Sequence, residues 1–273
     1  MDLKTDKIHK IDLTKTQETL LITLYAKALD NRSSRSILHD RAADELVSSI
    51  DVDFEAFKGF GNDVIVVRAK QFDKWLKEFI KANPNAVVLN IGCGLDTRVT
   101  RINPSPKTSW FDVDYPEVIK LREGFYLNKD GYKMIGSSVT YPDWLAEIPE
   151  DRPTVIIAEG ILEYLTAEEV KTLLNRLTDH FLHGQIAFDV MNSFAIKSGQ
   201  TKLKDATGAV HKWAVDDICE VDKLDPKLQR ITELSLFRSQ YIQRLSWGLR
   251  LLYGLMSIVP PFKNMMLLLR YQF

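Results

Sequence analysis

The segment Val87–Arg98, VVLNIGCGLDTR, limits what this chain can fold into more than any other stretch. A short apolar run of strand character ends abruptly in a Gly-X-Gly turn and an acid. Gly92 and Gly94 carry no Cβ and tolerate positive φ, so the main chain can approach a bound molecule more closely than a side chain would allow. A strand that feeds such a turn suits a nucleoside cofactor.

Two cofactor classes compete for the turn. A nicotinamide dinucleotide site, which would make the chain an oxidoreductase, uses Gly-X-Gly-X-X-Gly, whose third glycine lets the helix pack beside a pyrophosphate. That third position is Thr97 here. A cofactor without phosphates, such as S-adenosylmethionine, needs only the close approach and a ribose-binding acid. Asp112 and Asp114 stand about 20 residues beyond the turn, at the end of a second apolar run that opens at Ser109. The plainer alternative is an ordinary strand-to-helix turn with Asp96 as N-cap.

Around this segment the pattern alternates between short apolar strands and helices, as in a mostly parallel sheet covered on both faces. The expected strands are Val87–Ile91, Ser109–Val113, Tyr132–Ile135, Thr154–Ala158 and Gln185–Asp189, with Arg230–Phe237 and Met266–Phe273 as two more. Thr166 and Glu169 form a capping box that opens a helix running to about Phe181. Before the sheet, helix-spaced apolar residues over Thr16–Leu29, Ser36–Ile50 and Gln71–Ala82 predict a helical cap, and Pro84 ends the last of these. Met191–Lys212 is polar and contains Gly199 and Gly208, which reads as a mobile loop or lid. The expected organisation is one domain: a cap over 1–83, a cofactor-binding core over 84–190, and a lid with C-terminal strands and a helix over 191–273. Open α/β sheets bind ligands beyond the carboxyl ends of their strands, which is where Gly92, Asp112, Asp114, Ser138 and Glu159 should meet.

Composition removes several functions. With 273 residues, 45% hydrophobic, the chain is long enough for a sizeable enzyme core, and a formal net charge of −1 lacks the basic excess that nucleic-acid binding requires. Its two cysteines, Cys93 and Cys219, show no metal-ligand spacing, nor do its five histidines apart from the pair His180 and His183, and a reducing cytoplasm fits so few cysteines. Cys93 reads as a small side chain in the turn, and His180 and His183 as polar residues late in a helix. The polar, charged N-terminal segment lacks the apolar core of a signal peptide. The apolar run Leu251–Phe262 has 12 residues, too few to span a bilayer, and reads as a buried or lid-forming helix broken by Pro260 and Pro261. Trp144 and Trp213 read as packing residues.

The segments ILHDRAADELV from Ile37, VVRAKQFD from Val66, VVLNIGCGLDTRVTRI from Val87, WFDVDYPEVIKLR from Trp110 and TVIIAEGILEYLTAEEV from Thr154 occur in a specific order and spacing. In these the chain resembles the leucine carboxyl methyltransferase family, and within it the tetracenomycin-type polyketide O-methyltransferases. The resemblance covers most of the chain. It implies a Rossmann-like class I fold with a seven-stranded sheet, S-adenosylmethionine as cofactor, and methyl transfer to a carboxylate or another oxygen of a small metabolite. It also implies roles by position. Arg68 pairs with the methionine carboxylate of the cofactor, and Gly92 lies beneath it. Asp114, ranked above Asp112, binds the ribose. Glu159 contacts the cofactor from the fourth strand end, Tyr164 stands beside the reacting pocket, and Lys27 matches a basic residue of the cap. Ser138 departs from the pattern, because many relatives have an aspartate there to accept from the adenine amino group. A neutral serine forgoes a charge-assisted bond, about 1 kcal/mol.

A carboxylate acceptor is already ionised at neutral pH, whereas a phenol or alcohol needs a base. No base stands out near the turn in the sequence, which favours a carboxylate. Arg98, Arg244 and Tyr164 are candidate anchors for it. A non-catalytic scaffold that retains the cofactor fold is the alternative of another class.

Overall fold

The computed structural model describes residues 19–57, 59, 61–126 and 130–273. Three helices form the cap: α1 (Thr19–Asn31), α2 (Arg41–Ser49) and α3 (Asn62–Ala82). The first three residues of the helix expected over Thr16–Leu29 lie outside the described residues. The one expected over Ser36–Ile50 starts later, at Arg41. The Asp30 carboxylate takes the amides of Ile37 and Leu38, both at 2.9 Å, and His39 has a φ of 58°, so the chain turns there before Asp40 caps α2. The third helix begins nine residues before Gln71. Its β-branched stretch Val64–Val67 disfavours a helix locally, but Ile65, Val66 and Val67 are buried, and tertiary packing overrides the propensity.

The sheet has seven strands in the order β3-β2-β1-β4-β5-β7-β6. They are β1 (Val87–Ile91), β2 (Ser109–Asp114), β3 (Tyr132–Gly136), β4 (Thr154–Ala158), β5 (Gly184–Met191), β6 (Gln229–Ser235) and β7 (Met266–Gln272). The first five are parallel, and β7 runs antiparallel to both β5 and β6. Every residue of β1 and β4 is buried, as a central strand covered on both faces requires. One apolar layer joins the cap helices to one face of the sheet through Val88, Val155 and Ile157. The other packs Leu89, Ile91, Ile156 and Phe188 against α6 (Ala167–His180), whose capping box is formed as expected. Trp144 is buried in this second layer, and Trp213 packs against it.

Between β1 and β3 lie α4 (Arg98–Ile102) and α5 (Pro116–Phe125). Thr97, not Asp96, is the N-cap residue of α4. The polar stretch read as a loop is largely the helix α7 (Ser193–Thr207). Asn192 accepts from the Ala195 amide at its start, Gly208 ends it with a left-handed φ of 69°, and the mid-helix Gly199 costs only about 1 kcal/mol. After α8 (Ile218–Asp222) and β6 comes α9 (Trp247–Met256). This helix is not buried. Tyr253 packs inward on Phe237, while Trp247, Leu251, Leu252 and Leu255 are exposed. Among the described residues, no helix is long and apolar enough to cross a membrane.

Candidate cofactor site at the carboxyl edge of the sheet

β1 delivers the glycine turn to the carboxyl edge, where Gly92 (φ 63°) and Gly94 (φ 48°) both take the left-handed conformation. Hydrogen bonds to β2 fix the turn. The Gly92 amide donates to the Val113 carbonyl at 2.8 Å and the Gly94 amide to Asp114 Oδ2 at 2.7 Å, while the Tyr115 amide donates to Asp114 Oδ1. Asp114 is half-buried at the strand end, and each of its oxygens retains acceptor capacity beyond its main-chain bond. Burial pushes its pKa up, against the two amides that favour the charged form. A Cβ on Gly92 would fall 2.3 Å from Ile161 Cδ1, so the bare glycine is what lets the loop after β4 close onto the turn. On Gly94 the close neighbour is Leu20 of α1.

Asp112 does not reach this edge. It lies on the same face of β2 as Asp114 but two residues deeper, beneath α5, and is fully buried. Its Oδ1 accepts from Asn90 and Trp110, and its Oδ2 from Arg122 and Tyr132. The same Arg122 donates to the carbonyls of Gly94 and Asp96 at 2.8 and 2.9 Å. Asp112 therefore orients the guanidinium that clamps the turn from below, and it has no lone pair left to present to a ribose.

On the opposite side, α3 brings Arg68 to the end of β4. Its Nε donates to Glu159 at 3.0 Å and its Nη1 to Asp189 at 2.8 Å. Its Nη2 makes no hydrogen bond among the described residues and lies over Gly160, where a Cβ would approach it to 2.9 Å. Arg98 joins the Glu159 carboxylate to Asp96 and Asp73, Lys27 reaches Asp96 at 2.6 Å, and Arg101 ties Asp73 to Asp40. Burial would raise the pKa values of Glu159 and Asp96. Arg98 with Arg68, and Arg98 with Lys27 and Arg101, outweigh it and hold both below the usual range. Four cations thus face five carboxylates in one buried network, a surplus of one negative charge. Arg98 is wholly consumed in it and cannot serve as an acceptor anchor, whereas Arg244 is exposed and donates one bond, from Nη2 to the Ser36 carbonyl.

Ser138 follows β3 at the same edge, its hydroxyl 2.8 Å from that of Thr140. Tyr164 lies in the turn Leu162–Tyr164 with its ring 5.2 Å from His211, and burial raises its pKa. Cys93 is buried, which pushes its thiol up and fits the absence of any assigned chemistry. Sequence reasoning missed Glu163, a buried carboxyl in that same turn, although its place four residues after Glu159 marked it as part of the loop beyond β4.

These features suit a ligand with a ribose, an amino-acid carboxylate and a net positive charge. Asp114 offers acceptors at one end, Arg68 Nη2 a free donor at the other, and the network between them one surplus anion. A sulfonium with one ammonium and one carboxylate carries that charge. Comparison with known proteins points the same way. The leucine carboxyl methyltransferase family model matches residues 14–178. The chain is 36% identical over 266 residues to the tetracenomycin polyketide synthesis O-methyltransferase TcmP of Streptomyces glaucescens, covering 96% of this chain and 98% of that one. It is 31% identical to the S-adenosyl-L-methionine-dependent methyltransferase dpfgK of Gibberella zeae, covering 81% and 82%. In fold it is similar to a DUF574-family protein from Streptomyces avermitilis, with a TM-score of 0.61 at 12% identity over 95% of this chain and 98% of that one. The chain belongs to the leucine carboxyl methyltransferase family and is an S-adenosylmethionine-dependent O-methyltransferase.

Proposed function

We propose that the carboxyl edge between β2 and β4 holds the cofactor with its carboxylate on Arg68 Nη2, its ribose hydroxyls on Asp114 and its adenosyl group along the turn from Gly92 to Gly94. Ser138 lies on the adenine side, and Glu159 holds Arg68 in place while adding negative potential beside the sulfonium. Asp112 supports the turn from beneath. The observation that carries this reading is the free Nη2 over Gly160, a buried guanidinium with one edge left open.

When bound, the cofactor supplies a methyl group on a positively charged sulfur, open to in-line displacement. The chain contributes position and dryness. Arg122 freezes the turn by its carbonyls, Asp114 fixes the sugar against Gly94, and the Arg68 pairings with Glu159 and Asp189 set the amino-acid end. Ile161 and Leu20 pack beside the two half-buried glycines. The acceptor is an oxygen of a small metabolite, and the likeness to TcmP supports a polyketide. Cys93 and Cys219 are both free thiols, which supports action in the reducing cytoplasm. The cap, core and C-terminal region act together as one methyltransferase domain.

Calorimetry with S-adenosylhomocysteine tests the placement. Binding that Arg68→Ala weakens about 10-fold or more is expected, because a charge-assisted hydrogen bond contributes about 1.5–3 kcal/mol. Equal binding by wild type and variant would remove Arg68 from the site.

A further inference from the structure

The helix α9 is apolar on nearly every side and yet lies at the surface. Leu249, Tyr253 and Met256 pack its inner face onto the apolar layer shared with the cap, and the Tyr253 hydroxyl donates to Asp63 of α3. Its outer face carries Trp247, Leu251, Leu252 and Leu255, and the turn that follows adds Ile258 and Val259. These six side chains are 45–79% exposed. Together they present on the order of 600 Å² of apolar surface, the upper end for a monomer, and patches of that size mark a contact with protein or membrane. A Cβ on Gly248 or Gly254 would stand in open space, so nothing among the described residues covers the helix there. A helix without a polar face needs cover on its outer side, from protein or from lipid.

Charge decides between the two. Over 236–273 the sequence has five lysines and arginines and neither aspartate nor glutamate. Arg244 and Arg250 are exposed beside the apolar face and Lys263 is half-buried just beyond it, and none of the three makes an ion pair among the described residues. A second copy packed on α9 would bring its own three cations with no acid from this segment to meet them. The exposed side chains are also mainly aliphatic. Leucine and valine rarely anchor protein interfaces, whereas leucine with tryptophan on one side and arginine at the rim is the composition of a helix lying in a lipid interface. We propose that α9 and the turn through Val259 dock this protein on an anionic bilayer surface. The aliphatic face and Trp247 enter the headgroup region, and Arg244, Arg250 and Lys263 pair with lipid phosphates. The contact is peripheral, since the ten residues of α9 are too few to span. β6 ends and β7 begins at the carboxyl edge of the sheet, so the helix between them sits at the edge that carries Gly92 and Asp114, and docking turns that edge toward the lipid.

The test is flotation of the full chain with vesicles of phosphatidylcholine and phosphatidylglycerol in equal amounts, against vesicles of phosphatidylcholine alone. Trp247 is the reporter, because Trp75, Trp110 and Trp144 are buried. The protein should float with the mixed vesicles, its emission shifting to the blue and being quenched by brominated acyl chains, and should bind the neutral vesicles about tenfold more weakly or worse. Leu255→Asp with Ile258→Asp should abolish flotation, and Arg244→Gln with Arg250→Gln should weaken it about tenfold or more. Both pairs replace exposed side chains, so melts should stay near wild type. If the aspartate pair does not fold, the arginine pair and the quenching decide alone. No flotation, equal affinity for neutral and anionic vesicles, an unquenched Trp247, or flotation that neither pair reduces overturns the proposal. In the absence of flotation, sedimentation equilibrium assigns the face: a dimer that the aspartate pair dissociates gives it to a second copy, and a monomer gives it to an acidic protein.

Discussion

Replacing Gly92 by alanine should damage this protein twice over, and the two effects can be separated. The residue sits at a φ of 63°, a conformation that costs an L-residue about 1–2 kcal/mol. The new methyl would also fall 2.3 Å from Ile161 Cδ1 and 2.9 Å from its Cγ1, an overlap of the kind that costs about 1–3 kcal/mol to relieve. Together these give about 2–5 kcal/mol, or a fall in Tm of roughly 4–20 °C for a domain of this size. Ile161→Ala removes the Cδ1 and Cγ1 overlaps, keeps only the Cβ at 2.9 Å, and leaves the φ term untouched. In a double-mutant cycle followed by urea denaturation, Gly92→Ala should therefore cost about 1–3 kcal/mol less in the Ile161→Ala background. Binding of S-adenosylhomocysteine should remain about tenfold or more weakened in the double variant, because the methyl still stands on the turn that carries the nucleoside. A coupling energy near zero would refute the claim that the glycine admits Ile161. Full recovery of binding would show that its purpose is packing alone.

Three further outcomes are expected. Asp112→Asn leaves Arg122 buried opposite a neutral group, so denaturation should report a loss of about 3–5 kcal/mol; a change under about 1 kcal/mol would mean that the clamp beneath the turn is not structural. Arg68→Lys keeps the charge but not the fork, so calorimetry should find S-adenosylhomocysteine affinity still well below wild type, and an unaffected variant would argue against the need for a guanidinium that pairs with Glu159 and Asp189 while leaving Nη2 to the cofactor. Glu163 has a folded pKa of about 8 against an ordinary 4.5, so its contribution to stability is complete below about pH 4.5 and is lost as pH rises through about 8. The full linkage is on the order of 5 kcal/mol. Thermal melts of Glu163→Gln should lose less stability than wild type between pH 5 and pH 9, and parallel curves would contradict the raised pKa.

The sheet was legible because β1 and β4 are buried on both faces and read as mainly apolar runs, and α6 because Thr166 and Glu169 announce its start. What escaped was decided by tertiary contact. Four β-branched residues hide the first turns of α3 until the cap buries them, and two glycines disguise α7 until Asn192 and Gly208 cap it. Asp112 and Asp114 look alike in sequence, and only the position of α5 makes one a buried prop and the other a rim acceptor. An acid inside a strand otherwise buried does announce a need for a partner, and Arg122 lies ten residues on. Glu163 gave no such sign, since its isolation arises from the segment around His211 folding back upon it.

The Arg122 clamp divides the ligand's two ends into different kinetic regimes. With the carbonyls of the turn held from below, the nucleoside half is preorganised and binds without ordering a loop. The amino-acid half must insert a carboxylate and an ammonium among pairs that Arg68 has already made with Glu159 and Asp189. Adenosine alone should therefore associate fast and with little salt dependence, whereas the intact cofactor should add a slower, ion-exchanging step whose rate responds to ionic strength.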